Sequence, residues 1–177
     1  MNYSVLIADQ HKLFRECLAE MFNISRPHLE VLQAETGTEA LFLLSQFQPK
    51  IMLINLGLSE VNGFQIMKKL NKSKSTTKVI LMHNDGAKEV IQMSKKIGAA
   101  GFVSKAIGIQ TLFSVFEQVE TSNSFICHEW FDQQNLSNSI STTCLEDLVS
   151  AIEDLSNNER NVLRLFCQGF STKEVAE

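Results

Sequence analysis

The sequence predicts an α/β fold of the doubly wound, flavodoxin-like type, with a five-stranded parallel sheet over residues 1–121. Short apolar runs alternate five times with segments in which apolar residues recur at helical spacing. Such alternation indicates a parallel sheet that is covered by helices on both faces. Right-handed crossovers then give the doubly wound arrangement. Polar residues also follow several of the apolar runs, and this is where doubly wound folds place their chemistry.

The five predicted strands and five predicted helices take turns along the chain. The strands are YSVLIAD from Tyr3, LEVLQA from Leu29, IMLIN from Ile51, KVILMH from Lys78 and GFVSK from Gly101. The helices are HKLFRECLAEMF from His11, TEALFLLSQF from Thr38, NGFQIMKKLNK from Asn62, AKEVIQMSKKIG from Ala87 and IQTLFSVFEQVE from Ile109. Pro49 requires the second helix to end before it, and Gly98 suits the C-terminal end of the fourth.

Residues 122–154 are predicted to form a linker. The stretch is rich in Ser, Asn and Gln, and its apolar island at 125–131 predicts a short helix near His128. TCLEDLVSAIEDL, from Thr143, follows with Leu and other apolar residues on one helical stripe, so it is predicted to be an amphipathic helix.

Residues 155–177 carry two helix-start signals. Ser156 with Glu159, and Ser171 with Glu174, have the spacing of capping boxes. The second predicted helix has run for one turn when the sequence ends, so we expect only the beginning of a further helical domain.

Composition and charge exclude some classes of protein. Of the 177 residues, 44% are hydrophobic and only two are Pro, which indicates a folded chain. No apolar run approaches the ~18 residues of a membrane span, and the N-terminus lacks the pattern of a signal peptide. The four cysteines, Cys17, Cys127, Cys144 and Cys167, are too scattered for a metal-binding pair, so free thiols in the cytoplasm are expected.

The charge is divided unevenly. Through Gln110 there are 13 Lys and Arg against 9 Asp and Glu, a net charge of +4. From Thr111 onward there are 3 against 11, a net charge of −8. The acidic C-terminal part, as it stands, is therefore not expected to bind nucleic acid strongly.

The predicted strand ends bring a set of polar residues to one rim of the sheet. They are Asp9 and Gln10 after the first strand, Asn55 after the third, His83 after the fourth and Lys105 after the fifth. In this arrangement VLIADQHKLFRECL, PKIMLINLGLSEVNGFQ, KVILMH and GAAGFVSK resemble the receiver domain of bacterial two-component response regulators. LSNNERNVLRLFCQGFSTKEVAE resembles the opening of a LuxR-type helix-turn-helix domain.

The resemblance implies a role for each rim position. In receivers an acidic pair and the Asp at the end of the third strand bind Mg²⁺, and that Asp accepts a phosphoryl group from a histidine kinase. Here the pair is Asp9 and Gln10, and the phosphoacceptor position is Asn55.

The remaining positions hold the phosphoryl oxygens and respond to them. The Ser/Thr position is His83, the Lys is kept as Lys105, and Phe102 occupies the position of the switch aromatic. Because three positions depart together, a naturally degenerate receiver explains the sequence better than one substitution at Asn55 alone.

These departures have chemical consequences. A neutral carboxamide such as that of Asn55 is a poor nucleophile for phosphoryl transfer. Mg²⁺ prefers charged oxygen ligands, and Asp9 is the one carboxylate left of three, so no metal site and no cofactor are predicted. We expect a metal-free pocket closed by an ion pair of Asp9 and Lys105, with Gln10 and Asn55 hydrogen-bonding both. The alternative for Lys105 is contact with an anion.

Two further rim residues leave alternatives open. His83 could be a proton switch, because imidazole changes charge near neutral pH, or it could simply be hydrogen-bonded. Phe102 could be a switch residue or part of the core. His11 is expected to cap or pack near the rim.

Two hypotheses about function follow. The first is a cytoplasmic LuxR-type transcriptional regulator whose receiver is not controlled by aspartyl phosphorylation. It would act as a homodimer or through a regulatory protein partner, and DNA would be bound only by a longer form that carries the recognition helix. The second is a receiver-like adaptor or decoy that does not bind DNA. An enzyme is not expected, since no Cys, Ser or Asp lies in a phosphate-cradling loop.

Overall fold

A computed structural model of the chain describes residues 4–84 and 87–127, and the structural statements below refer to these residues. The chain divides into two units, residues 1–130 and 131–177, and all described residues belong to the first. The predicted helix near His128, the predicted amphipathic helix and the two capping boxes lie outside the described residues.

The described residues form six strands and five helices that alternate up to the last strand. The strands are β1 (Ser4–Ala8), β2 (Glu30–Ala34), β3 (Ile51–Asn55), β4 (Lys78–His83), β5 (Gly101–Ser104) and β6 (Ile126–Cys127). The helices are α1 (Lys12–Ser25), α2 (Gly37–Phe47), α3 (Gly63–Ser73), α4 (Lys88–Lys96) and α5 (Ile109–Thr121). No helix among them is both long enough and apolar enough to cross a lipid bilayer.

All strands run parallel in a single sheet, in the order β2-β1-β3-β4-β5-β6. The predicted doubly wound fold is therefore confirmed. Because the strands are parallel, their carboxyl ends share one rim of the sheet. The register brings them level there, with Asn55 beside Met82 and His83 beside Ser104.

The sixth strand corrects the predicted count of five. Ile126 and Cys127 pair with Gly101 and Phe102 of β5, and the Ile126 N–H donates to the Ala100 carbonyl at 2.9 Å. A Cβ at Gly101 would lie 2.9 Å from the Ile126 carbonyl oxygen, so a glycine leaves the room that this strand needs. A strand of two residues is too short to show an alternating pattern, so these two residues fall within the predicted linker.

Two apolar layers cover the sheet, because successive residues of a strand point to opposite faces. One layer lies between the sheet and helices α1 and α5, and it includes Val5, Ile7, Leu53, Ile80, Val103 and Phe116. The other lies between the sheet and helices α2, α3 and α4, and it includes Leu6, Met52, Ile54, Leu81, Ile66 and Phe102. The sheet is thus buried on both sides, and the rim is where its polar groups gather.

The start of α2 differs from the prediction. The helix begins at Gly37 rather than Thr38, because the Thr36 side chain is the N-cap and accepts a hydrogen bond from the Glu39 N–H. A Cβ at Gly37 would lie 1.8 Å from the Val61 carbonyl oxygen, so this helix start depends on glycine.

α1 extends to Ser25, three residues beyond the predicted segment, whereas the start of α3 and the end of α4 lie close to their predicted places. Asn62 and Gln65 form a complete capping box at the start of α3. Gly98 follows α4 with φ of +83°, the left-handed conformation that glycine adopts most readily after a helix.

Candidate functional site

Asp9 is the centre of the polar rim. It directly follows β1, and its side chain is completely buried. One carboxylate oxygen, Oδ1, accepts the His11 N–H at 2.9 Å and also lies 2.9 Å from the His11 Nδ1. The backbone of Asp9 is held as well, because its N–H donates to the Ala34 carbonyl on β2. Both the chain and the side chain of this residue are therefore fixed by neighbours.

Lys105 supplies the charge that balances Asp9. Its Nζ lies 2.5 Å from Asp9 Oδ2, and only 10% of the Lys105 side chain is exposed. Among the described residues Oδ2 has no hydrogen-bond partner, so the ion pair with Lys105 is its one polar contact. The same Nζ lies 3.5 Å from His11 Nδ1 and 5.0 Å from the centre of the Phe14 ring. The predicted ion pair of Asp9 and Lys105 is confirmed.

Asn55 and Gln10 do not take the places predicted for them. Asn55 ends β3 and is 5% exposed, and its Oδ1 accepts the Gly57 N–H at 3.4 Å. Gln10 is exposed to solvent. Among the described contacts, neither carboxamide hydrogen-bonds to Asp9 or Lys105. The Asn55 side chain instead accepts a hydrogen bond from the backbone of the loop that follows β3, two residues further along the chain. Asn side chains commonly make this local contact.

His83 is the last residue of β4, and Phe102 is the second residue of β5. The His83 carbonyl accepts the Lys105 N–H at 2.8 Å, which ties the backbone of Lys105 to β4. The His83 side chain is half-buried. Phe102 is 1% exposed and belongs to the apolar layer beneath α2, α3 and α4. Next to Lys105, the Ser104 hydroxyl donates to the Asn84 carbonyl at 3.0 Å.

Three residues of α1 or its N-cap complete the rim, and sequence reasoning gave them little or no role. His11 occupies the N-cap position of α1. Arg15 is buried and donates to the Asp9 carbonyl at 2.5 Å and to Glu35 Oε2 at 3.3 Å. Phe14 lies under the Lys105 ammonium. The spacing of His11 and Arg15, four residues apart at a helix start that follows a strand end, was the signal that could have found them.

The rim does not fit the Mg²⁺ that the receiver resemblance implies. Mg²⁺ needs several free oxygen ligands, preferably charged, in octahedral geometry. Asp9 is the one carboxylate at the centre, and both of its oxygens already face His11 or Lys105. The carboxamide oxygen of Asn55 faces the Gly57 N–H. Within the part of the chain that the structure describes, His, Cys, Asp and Glu form no group of three that could hold a metal.

A parallel sheet of this order with a buried acid and a Lys at its carboxyl rim defines a receiver-like signalling domain. The family model of the response regulator receiver domain matches residues 5–117. The chain therefore belongs to the response regulator receiver domain family.

Curated relatives agree with this membership. The Fimbriae Z protein of Salmonella typhimurium is 25% identical over 174 residues, which cover 98% of this chain and 80% of that protein. The Sporulation initiation phosphotransferase F of Bacillus subtilis is 29% identical over 112 residues, which cover 63% of this chain and 89% of that protein. The second relative aligns with a shorter part of this chain than the first does.

Solved structures share the fold. A LuxR-family DNA-binding response regulator from Staphylococcus aureus has a TM-score of 0.63 at 16% identity, over 67% of this chain and 99% of that one. A structure of RcsB dimers bound to DNA has a TM-score of 0.64 at 18% identity, over 99% of this chain and 82% of that one. At these identities the likeness concerns the fold.

Proposed function

We propose that this chain is a transcriptional regulator of the LuxR type whose receiver is not controlled by aspartyl phosphorylation. The observation that carries the proposal is the rim itself. Asn55 replaces the acceptor, and the retained Asp9 is closed by Lys105 at 2.5 Å. The LuxR assignment rests on the sequence after residue 154, and two relatives that align with almost the whole chain are named as transcriptional regulators.

The first step of the argument concerns the acceptor. A phosphoryl acceptor needs a nucleophilic oxygen that is free to attack in line with the leaving group. The Asn55 carboxamide is neutral, and its oxygen accepts a hydrogen bond from the Gly57 N–H. Its nitrogen lone pair is delocalised into the carbonyl, so this atom is a poor nucleophile too. Neither atom of the carboxamide replaces the missing carboxylate.

The second step concerns the Lys. In the receiver resemblance this residue holds a phosphoryl oxygen, and here its ammonium already has a full negative charge beside it. An ion pair with so little exposed surface is screened weakly by solvent and salt. An incoming anion would have to replace Asp9, which is itself fixed by the His11 N–H. The rim is therefore closed without a phosphoryl group.

The third step concerns the aromatic. Phe102 already lies inside the apolar core, where a phenyl ring is favoured by burial. In the family the aromatic side chain at this position reorients on phosphorylation, and a Ser or Thr hydroxyl contacts the phosphoryl group. Position 83 is a histidine here, so that hydroxyl is not present. We infer a receiver that keeps one arrangement and acts as a homodimer or through a protein partner. DNA binding, by a form with a complete helix-turn-helix domain, and a cytoplasmic location belong to the same proposal.

An adaptor or decoy that does not bind DNA is the second candidate. The observation that favours it is the net charge of −8 from Thr111 onward, which opposes binding to a phosphate backbone. A gel-shift assay with these 177 residues should show no sequence-specific complex near ~10⁻⁸ M, the usual range of specific protein–DNA affinity. The same assay with a form that carries a complete helix-turn-helix domain separates the candidates, because only the regulator would then bind.

Exposure to acetyl phosphate and Mg²⁺, followed by intact mass, tests the phosphorylation claim. The unmodified chain should gain no mass, and Gln10→Asp/Asn55→Asp is the matched variant in which the acidic positions are restored. A phosphoryl adduct on the unmodified chain near Asn55 would sink the proposal. An adduct on the restored variant alone would show that the rim residues, and not the rest of the fold, prevent the reaction.

A further inference from the structure

An apolar groove opens at the surface between α1 and the segment that joins β5 to α5. It has a volume of about 280 Å³. Its two walls are Phe14, Cys17 and Met21 from α1, and Ile107 and Leu112 from the joining segment and α5. A cavity of about 150 Å³ with similar apolar walls is large enough to bind benzene, so this groove has room for a somewhat larger molecule.

The groove reaches down to the sheet. Met82 of β4 and Val103 of β5 line it, and each is only 1% exposed. A molecule in the groove would therefore contact the apolar layer between the sheet and helices α1 and α5. Depth of this kind, with mostly apolar walls and few polar groups, is typical of a binding site for a small molecule.

Lys105 is the polar side chain of the groove that has hydrogen atoms left to donate. Ser104 also lines the groove, but its hydroxyl donates to the Asn84 carbonyl at 3.0 Å and accepts the Ala106 N–H at 3.2 Å. The Lys105 side chain lines the groove as well and is only 10% exposed. Its ammonium has three N–H groups, and the ion pair with Asp9 Oδ2 engages at most one of them.

The His11 ring does not accept a second N–H from Lys105. Its Nδ1 lies 2.9 Å from Asp9 Oδ1 and 3.5 Å from the Lys105 Nζ. A carboxylate oxygen only accepts, so Nδ1 donates its hydrogen to Asp9 and has no lone pair left for Lys105. The ammonium lies 5.0 Å from the centre of the Phe14 ring, which places it at the Phe14 end of the groove. Among the described residues, at least one N–H of Lys105 is therefore left without an acceptor.

We propose that this groove binds a small, neutral and mainly apolar molecule that carries one hydrogen-bond acceptor, of the chemical class of an aryl or alkyl ketone. The apolar part fills the space between Phe14 and Leu112, and the acceptor takes an N–H of Lys105. The ligand is neutral because Asp9 already balances the charge of Lys105, and a carboxylate would bring a second negative charge beside Asp9. The inference does not depend on whether the chain binds DNA.

Three ligands of similar shape test the proposal on the full chain labelled with ¹⁵N. Acetophenone has one carbonyl, ethylbenzene has no acceptor, and benzoate has a negative charge. Acetophenone should bind with a dissociation constant of about 1 mM or lower, as an efficient ligand of this size can. It should bind about tenfold more tightly than ethylbenzene, because a hydrogen bond to a charged donor is added. Amide chemical-shift titrations measure the affinities, and the shifts should cluster at the residues that line the groove.

The order of the three affinities decides the outcome. Benzoate should bind more weakly than acetophenone. If benzoate binds most tightly, Lys105 is an anion site, and the proposal is wrong. Equal affinities for acetophenone and ethylbenzene would show that Lys105 donates nothing to the ligand. A groove that binds none of the three, or that only a protein partner covers, would likewise overturn the proposal.

A matched pair of variants on α1 locates the site. Cys17→Trp places an indole ring at the mouth of the groove and should weaken acetophenone binding at least about tenfold, because the ring takes the apolar space of the ligand. Glu16→Trp adds the same ring at the neighbouring exposed position, which does not line the groove, and should leave the affinity unchanged. Circular dichroism checks that both variants stay folded. Equal effects of the two variants would place acetophenone outside the groove and contradict the proposal.

Discussion

Two lysines at opposite ends of neighbouring strands are neutralised in different ways. Lys78 begins β4, and its Nζ donates to the carbonyls of Val119 at 2.9 Å, Glu120 at 3.3 Å and Ser122 at 2.7 Å. Lys105 follows β5 and lies 2.5 Å from the single carboxylate of Asp9. One ammonium is held by backbone dipoles at the end of α5, and the other by one full charge.

The difference separates a structural lysine from a site lysine. Three carbonyls at a helix C-terminus cannot be replaced without moving the helix, and a cation there complements the helix dipole. Lys78 is therefore tied to the fold. Lys105 depends on a side chain, and its surroundings also include His11 and Phe14, so its partners can be exchanged by substitution.

The largest effect is expected from Asp9→Asn. The variant leaves the Lys105 ammonium poorly exposed and without a counter-charge, and breaking such a pair costs about 3 kcal/mol of unfolding free energy. Urea unfolding measures the loss. Glu35→Gln is the control, because Glu35 is an exposed acid paired with Arg15 and should change the free energy by no more than about 0.5 kcal/mol. A loss as small as that of the control would show that the charge of Asp9 is not needed.

Lys78→Met tests the other lysine and should cost about 2 kcal/mol, because hydrogen bonds from a charged group to carbonyls are removed together. Lys69→Met on the exposed surface of α3 is the matched control and should be close to neutral. Urea unfolding again gives the numbers. If Lys78→Met proves neutral, the three carbonyl contacts do not hold the end of α5.

Restoring the acids should convert the rim into one that responds to metal. Gln10→Asp/Asn55→Asp places carboxylates near Asp9, and their repulsion should lower the unfolding free energy by about 1–2 kcal/mol without Mg²⁺. Millimolar Mg²⁺ should reverse the loss, since a ligand stabilises the state that it binds. The melting temperature of the unmodified chain should not change with Mg²⁺. A rise of several degrees in the unmodified chain contradicts a metal-free rim.

The sequence predicted the sheet because its strands are buried on both faces. β3 and β4 match the predicted segments residue for residue, since continuous apolar runs bounded by polar residues have clear ends. β6 was not predicted, because a strand of two residues is too short to show periodicity. The start of α2 was misplaced by one residue because Thr36 and Thr38 are both plausible caps, and the fit of Gly37 against Val61 decides between them.

At the rim, the sequence predicted the ion pair but not the directions of the carboxamide side chains. Strand order fixes which residues meet, and the ion pair of Asp9 and Lys105 follows from that order and from charge. The directions of the carboxamides do not follow, because they depend on loop geometry after β1 and β3. Asn55 finds its partner two residues along its own chain. The parts played by Phe14 and Arg15 require knowing which side of α1 faces the rim.

The smallest effect is expected from His11→Ala, and it decides which neighbour holds Asp9. His11 contributes two contacts to Asp9 Oδ1, each at 2.9 Å, one from its backbone N–H and one from its ring. The substitution removes the ring, which is more than half exposed, and keeps the N–H. A solvent-exposed contact contributes little to stability, so the unfolding free energy should fall by about 0.5 kcal/mol or less. The urea midpoint should therefore shift as little as for His28→Ala, an exposed histidine outside the rim. A loss close to that of Asp9→Asn would mean that the His11 ring, and not Lys105, holds the carboxylate in place.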